Sequence, residues 1–257
     1  MKETMVIAKE NIELKDPVLI EGLPGLGMVG KIVVEQLMKQ MKAKKLADLY
    51  SPHFAYYVLV TDDGSIRLLR SEFHYWRNED GGNDLIFLTG DSQAQTIEGQ
   101  YEVANAILDF AEKQDVKRII TIGGYREEAK DEPQVFASAT NEAMLKRALE
   151  AGAQNSPAGN PIVGTAGLLL GLAKLKDLDA VCFLVETLVY LPDPKAAKSI
   201  LAVLMKMLGV KVDLKGLDKE IAKSEQIEEK IKVIEEQRRT SEKRRHKIEE
   251  EKTSYIS

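Results

Sequence analysis

The residues from Val18 to Lys31 read VLIEGLPGLGMVGK: a short apolar run, then four glycines and a proline, then a helical pattern. Gly25-Leu26-Gly27-Met28-Val29-Gly30 fits G-x-G-x-x-G, and Gly25 through Lys31 fits G-x-x-x-x-G-K. Both spacings let backbone N–H groups at the start of a helix cradle phosphate. Neither chemistry is completed here. A P-loop needs Ser or Thr after the lysine to hold the phosphate-bridging Mg²⁺, and Ile32 stands there. Pro24 also removes a backbone donor from the loop. A dinucleotide site wants an acid about 20 positions on, at the end of the next strand. Asp48 is near that spacing but lies in a poor strand pattern, and a hairpin rather than a second βαβ unit follows. The alternative is packing: the glycines permit a tight strand-to-helix turn and close approach of helix to sheet.

Other reactive groups are few. His53, His74 and His246 show no metal-ligand spacing, and no G-x-S-x-G elbow occurs. Cys182 is the only cysteine, so no intrachain disulfide or multi-cysteine metal site is expected. Its setting, Ala180-Val181-Cys182-Phe183-Leu184-Val185, predicts a buried structural thiol. His74-Tyr75-Trp76 at a strand end reads either as a surface contact or as a partly buried aromatic cluster. Glu186-Thr187 follows the strand ending at Val185, where α/β sites commonly lie, although Thr187 would equally serve as a helix cap. No catalytic, cofactor-binding or metal-binding residue is assigned.

The elements around these residues alternate between strand and helix. Val29, Ile32, Val33, Leu37 and Met41 mark one face of a helix. Leu46 to Tyr50 predicts a short strand, and Phe54 to Thr61 with Ile66 to Tyr75 predicts a hairpin about Asp62-Asp63-Gly64-Ser65. Asp80-Gly81-Gly82-Asn83 is a second turn, before the buried-strand run Asp84 to Thr89. Ser92 and Gln95 are spaced as a capping box for a helix with Ile97, Tyr101, Ala104, Leu108 and Ala111 on one stripe. A strand over Arg118 to Ile122 should stop at Gly123-Gly124. Asn141 to Ala151 is helical in pattern, and Val163 to Ala173, apolar all round, predicts a buried helix rather than a surface one. Ala180 to Val185 should be a central strand and Ala196 to Leu208 a helix. The sum is a three-layer αβα domain with a mixed sheet over residues 1–214.

At Lys215 the composition changes. Residues 215–257 carry 12 basic and 11 acidic residues, leaving −6 of the net −5 on the first 214. That balance is not a nucleic-acid footprint. Leu217, Ile221, Ile227, Ile231 and Ile234 recur at helical spacing, but from Glu235 to Ser254 only Ile248 is aliphatic. The segment predicts a charged helical tail, partly mobile, with an apolar tip at Tyr255-Ile256. The start Met1-Lys2-Glu3-Thr4 does not read as a secretory leader. The uncharged run from Ala151 to Ala173 is broken by Gln154, Asn155, Pro157, Asn160 and Pro161, so no membrane span is expected and a cytoplasmic location is.

Taken in chain order, Glu21-Gly22-Leu23-Pro24-Gly25-Leu26-Gly27-Met28-Val29-Gly30, Gly123-Gly124, Ala139-Thr140, Gly164-Thr165-Ala166-Gly167-Leu168-Leu169, and Glu186-Thr187 with Tyr190-Leu191-Pro192-Asp193-Pro194 resemble the PAC2 family of proteasome-assembly-chaperone-like proteins. The resemblance covers roughly residues 10–210. It implies a fold similar to nucleoside phosphorylases without an established enzyme activity, oligomerisation, and proteasome α-subunits or a paralogous PAC2 protein as partners. Some archaeal members are described as contacting the proteasome α-ring through C-terminal tails ending hydrophobic–Tyr–any residue. Here Tyr255 is third from the end, followed by Ile256 and Ser257, and Ser254 replaces the preceding hydrophobe. By that resemblance Tyr255, Ile256 and Ser257 are the candidate partner-binding residues. Two other functions compete. One is a nucleoside- or nucleotide-like ligand site, or a nucleosidase-like enzyme, at the sheet edge near Gly25–Gly30, Gly123-Gly124 and Thr165. The other is a scaffold whose tail only bundles with sister subunits.

Overall fold

A computed structural model describes residues 1–10, 12–126, 132–187, 191–227, 229–231 and 234. Two compact units are present, Met1–Leu214 and Lys215–Ser257. In the second, residues 215–227 are helical.

The first unit is built on a nine-stranded mixed sheet. Its strands are β1 (Met5–Ala8), β2 (Val18–Glu21), β3 (Lys44–Tyr50), β6 (Ser71–Trp76), β7 (Leu85–Gly90), β8 (Arg118–Arg126), β9 (Val135–Ala139), β10 (Gln154–Asn155) and β11 (Asp179–Thr187). The spatial order is β1-β3-β6-β7-β2-β8-β11-β9-β10. Strands β7, β2, β8 and β11 run parallel at the centre, while β1, β3 and β6 extend the sheet antiparallel on one side and β9 does so on the other. Central parallel strands are covered on both faces, which is why β2 and β7 consist of buried residues throughout.

Among the described residues, five helices cover the sheet: α1 (Val29–Met41), α2 (Ile97–Lys113), α3 (Glu142–Glu150), α4 (Thr165–Leu175) and α5 (Pro194–Leu208). Helix α2 packs beside α4, while α1 and α3 pack beside α5. Residues on alternate positions of each strand serve opposite layers. Leu19, Ile86, Leu88, Ile119 and Ala180 join Ala104, Ile107, Leu108 and Leu169 in the core under α2 and α4. The Phe73 and Phe110 rings meet in the same core with centroids 4.3 Å apart. This is the expected three-layer mixed α/β architecture.

Several local expectations are corrected. The predicted hairpin divides. Only β4 (Val58–Val60) and β5 (Ile66–Leu68) pair with each other, as a separate two-stranded sheet, and Ser71–Trp76 leaves to join the main sheet as β6. Helix α2 is capped not by Ser92 and Gln95 but by Thr96, whose hydroxyl accepts from Gly99 N at 3.0 Å. Its stripe is also shifted: Ala104, Leu108 and Ala111 are buried, but Ile97 and Tyr101 are exposed. The strand at Arg118 does not stop at Gly123-Gly124, because register pairing with Leu184 and Val185 of β11 carries β8 on to Arg126. Helix α4 buries only Thr165, Ala166, Leu169 and Ala173; Leu175 and the preceding Val163 are exposed. Its apolar circumference therefore covers one face only. Helices α3 and α5 start at side-chain caps, Asn141 and Asp193, and α5 ends at Gly209 with φ +67°.

Candidate functional site

The glycine-rich junction leads from β2 through a 3-10 turn (Leu26–Met28) into α1. A Cβ on Gly22 would lie 2.1 Å from Gly30 O, so the strand end and the helix touch backbone to backbone. Gly27 has φ +59°, and a Cβ there would sit 2.2 Å from Thr187 Oγ1. Thr187 donates to Asp193 Oδ2 at 2.8 Å, Asp193 N donates to Gly27 O at 2.8 Å, and Asp193 Oδ1 caps α5 by accepting from Ala196 N at 2.8 Å. Thr187 thus belongs to a clamp that locks the glycine turn to the start of α5.

The two nucleotide patterns are spent on other work. Lys31 donates to Gly90 O at 2.8 Å and pairs with Glu35 at 2.9 Å. Asp48 is buried in an ion-pair cluster with Lys45 at 2.6 Å and Arg70 at 3.2 Å, on a strand separated from β2 by β6 and β7. Glu186 is buried; its Oε1 accepts from Tyr125 OH at 3.3 Å and its Oε2 from Gln134 N at 3.0 Å. Tyr75 is buried and His74 half-buried, so that cluster belongs to the sheet rather than the surface. Burial pushes the Cys182 thiol up to about 12, leaving it protonated and unreactive at neutral pH. Among the described residues no three His, Cys, Asp or Glu side chains are grouped to hold a metal, and no helix is long and apolar enough to cross a membrane.

Where the parallel strands end, the loops after β2 and β7, the last residues of β8 and the segment before α4 line a cavity of about 680 Å³. It adjoins a second of about 420 Å³, with Tyr125, Pro161, Ile162 and Leu184 in both walls. The larger wall is apolar, with Leu23, Leu26, Ile122, Ile162, Val163 and Leu184, and is braced by two glutamines. Gln93 Oε1 accepts from Thr165 N at 3.0 Å while its Nε2 donates to Pro24 O at 2.7 Å. The Thr165 hydroxyl lies 3.0 Å from Gln100 Oε1, and Gln100 Nε2 donates to Ala94 O at 2.6 Å. Glu21 also belongs to this wall. It is 1% exposed, its Oε1 accepts from Leu23 N at 3.1 Å, and the backbone N–H of Ile122 also faces its carboxyl. Burial pushes its carboxyl up to about 7.

The structure thus brings Gly25–Gly30, Gly123-Gly124 and Thr165 to one rim, as the sequence suggests, and adds Glu21, Gln93 and Gln100, which the sequence reading passed over. A glutamate closing an apolar run was the available signal for Glu21. A glutamine just beyond a buried parallel strand was that for Gln93.

A different surface lies on the same rim. Val58 faces Leu68 and Val60 faces Ile66 across the β4–β5 hairpin, and all four side chains are exposed, Val60 by 73% and Ile66 by 67%. Tyr56 is fully exposed beside them. On the opposite face Arg67 makes a two-pronged ion pair with Asp91, the longer prong 2.9 Å, and Asp91 also accepts from Arg70 N at 3.0 Å. The hairpin is therefore tied down by Arg67 and by Leu59, which packs against the core, and presents a second, aliphatic face to solvent. The candidate tip residues Tyr255, Ile256 and Ser257 lie outside the described residues.

The PAC2 family model matches residues 19–234. The chain belongs to the PAC2 family. An uncharacterised protein of Methanocaldococcus jannaschii is 34% identical over 225 residues, 87% of this PAC2 chain and 86% of the relative. Among solved structures, Pyrococcus furiosus PbaB, an archaeal proteasome activator, is 40% identical with a TM-score of 0.86, over 90% of this chain and 100% of that one. Pyrococcus furiosus PbaA, an archaeal homologue of proteasome-assembly chaperone, is 28% identical with a TM-score of 0.74, over 97% and 98%. The PAC2 motif residues find their physical reason in the clamp: Gly27, Gly124, Thr187 and Asp193 meet where no larger side chain fits, since a Cβ on Gly124 would lie 2.5 Å from Thr187 Cγ2.

Proposed function

We propose that this PAC2 protein is a non-enzymatic proteasome assembly chaperone or adaptor. It acts as a cytoplasmic homo-oligomer and binds proteasome α-subunits or a paralogous PAC2 protein. The observation that carries the reading is the 40% identity to PbaB across 90% of this chain. The aliphatic hairpin face supports it, because an exposed, tethered apolar surface is suited to a protein partner. Such a role needs no bond-making; it needs a rigid body that presents surfaces. Residues 1–214 are the PAC2 body, and residues 215–257 are the tail whose tip, Tyr255-Ile256-Ser257, adds weak contacts multiplied by oligomer symmetry.

Native mass spectrometry of the full-length protein with α-subunits tests this. Complexes of defined stoichiometry are expected, weakened by Tyr255→Ala with Ile256→Ala and by removal of 215–257. No complex under conditions where α-rings form overturns the function. A complex untouched by the tip substitutions overturns the role of the tail. A truncation that changes only the oligomer's mass would leave the tail as a bundling element between sister subunits.

A further inference from the structure

The protein-binding reading leaves the cavity at the sheet rim unused, and most of its polar lining is already committed. The Gln93 and Gln100 amides are spent on Thr165, Pro24 and Ala94, so they shape the wall and offer little to a guest. Tyr125 OH donates to Glu186. Glu21 is closed to a guest, because its carboxyl is buried and turned onto the backbone N–H groups of Leu23 and Ile122. The adjoining cavity adds only neutral side chains to this inventory, Ser138, Ser156 and Asn160.

Arg126, the last residue of β8, is the exception. It lines the larger cavity, it is exposed, and among the described residues nothing accepts from its guanidinium. Glu21 opposes it weakly, since burial raises that carboxyl to about 7 and leaves it partly uncharged at neutral pH. The rest of the wall is apolar, and the volume of about 680 Å³ is that of a small-molecule pocket. Tyr125, Pro161, Ile162 and Leu184 also stand in the wall of the second cavity, of about 420 Å³. The apolar lining is therefore continued beyond the first cavity, and one uncommitted cation sits at its edge.

We propose that these cavities bind the anion of an aliphatic monocarboxylic acid of medium chain length. Its carboxylate pairs with Arg126, and its chain lies against Leu26, Ile122, Ile162 and Leu184. One guanidinium matches one carboxylate both in charge and in its fork of N–H donors. A phosphate monoester would bring further charge with no second cation to meet it.

Gly25 gives a steric control. It lines the cavity, its φ is −160°, and a Cβ there meets nothing nearer than Gln93 Nε2 at 3.8 Å. Gly25→Leu therefore fills the cavity without straining the backbone. The exposed β4–β5 hairpin is the competing apolar surface, and Val60→Lys with Ile66→Lys removes it.

The test is calorimetric titration of the full-length protein with octanoate, hexanoate and octan-1-ol. Octanoate is expected to bind once per chain, roughly tenfold tighter than hexanoate, because each buried methylene strengthens binding about fourfold. Arg126→Gln should weaken octanoate roughly fivefold or more and leave octan-1-ol within about twofold, as expected for loss of a charge-assisted pair. Gly25→Leu should abolish octanoate binding, and the hairpin double variant should leave it unchanged. Independently of any variant's folding, the Arg126 Nε–Hε resonance of the wild-type protein should move on octanoate addition. The proposal is overturned if octanoate does not bind at millimolar concentration, or if Arg126→Gln leaves its affinity unchanged or weakens octan-1-ol equally. Binding that survives Gly25→Leu, or that is lost in the hairpin variant, overturns it too. None of these results bears on the α-subunit experiment.

Discussion

Gly27 and Glu21 sit six positions apart and make opposite demands. Gly27 is held at φ +59° against Thr187 Oγ1, so any Cβ meets both backbone strain and a collision. Gly27→Ala should cost about 2–4 kcal/mol in denaturant unfolding, within the range for strain at a special backbone position combined with overpacking, whereas Gly25→Ala should stay within about 0.5 kcal/mol. Glu21 has a pH signature. Its folded-state carboxyl titrates at about 7 against an ordinary value of 4.5, so the folded state holds the proton more tightly than the unfolded chain does. Its contribution is therefore intact below about pH 4.5 and is lost as pH rises towards and through 7. The loss approaches about 3 kcal/mol by pH 8. Glu21→Gln should flatten that part of the stability profile, measured by denaturation between pH 4.5 and 8. Equal slopes for both proteins would show that Glu21 is not the titrating group.

At the scale of elements, the β4–β5 hairpin is where sequence and structure part most clearly. The alternation of apolar and polar side chains in Ile66 to Tyr75 breaks at Leu68-Leu69 and Arg70-Ser71-Glu72, a signal that the β-rich composition of the whole stretch masks. The break is set by partners in space: Arg67 is drawn to Asp91, and Ser71 finds Gly90 in register on β7. The glycine pair in β8 misleads in the same way, because glycine usually ends a strand and only the neighbouring β11 keeps this one going. What could be read was what depends on local composition, namely the buried runs of β2, β7 and β11 and the amphipathic spacing of α1 and α5. Glu21 was hidden because its environment comes from segments more than 100 residues away, Ile122 and the turn before α4. For the hairpin itself, Val60→Lys with Ile66→Lys should leave the unfolding free energy within about 0.5 kcal/mol, since both side chains are largely in water. The same pair should weaken association with α-subunits or between copies, read by native mass spectrometry. Unchanged association would remove the hairpin from the interface.

Across the whole first unit, the strand that opens the parallel core is also the one that waits longest for its neighbours. Val18 pairs with Leu85 on one side and Arg118 on the other, so β2 gains both ladders only after more than a hundred residues have been made. Pairings of such sequence separation carry a large loop-closure cost before any return, and sheets dominated by them fold slowly. Local units such as the β6–β7 hairpin should protect their amides early in pulse-labelled refolding, with β2 protected last, together with β8. A nascent chain paused before Arg118 would hold a four-residue strand, three of its residues aliphatic, with one flank open. On that account, the stretch most exposed to mispairing during synthesis is the same Val18–Glu21 segment that becomes the centre of the finished sheet.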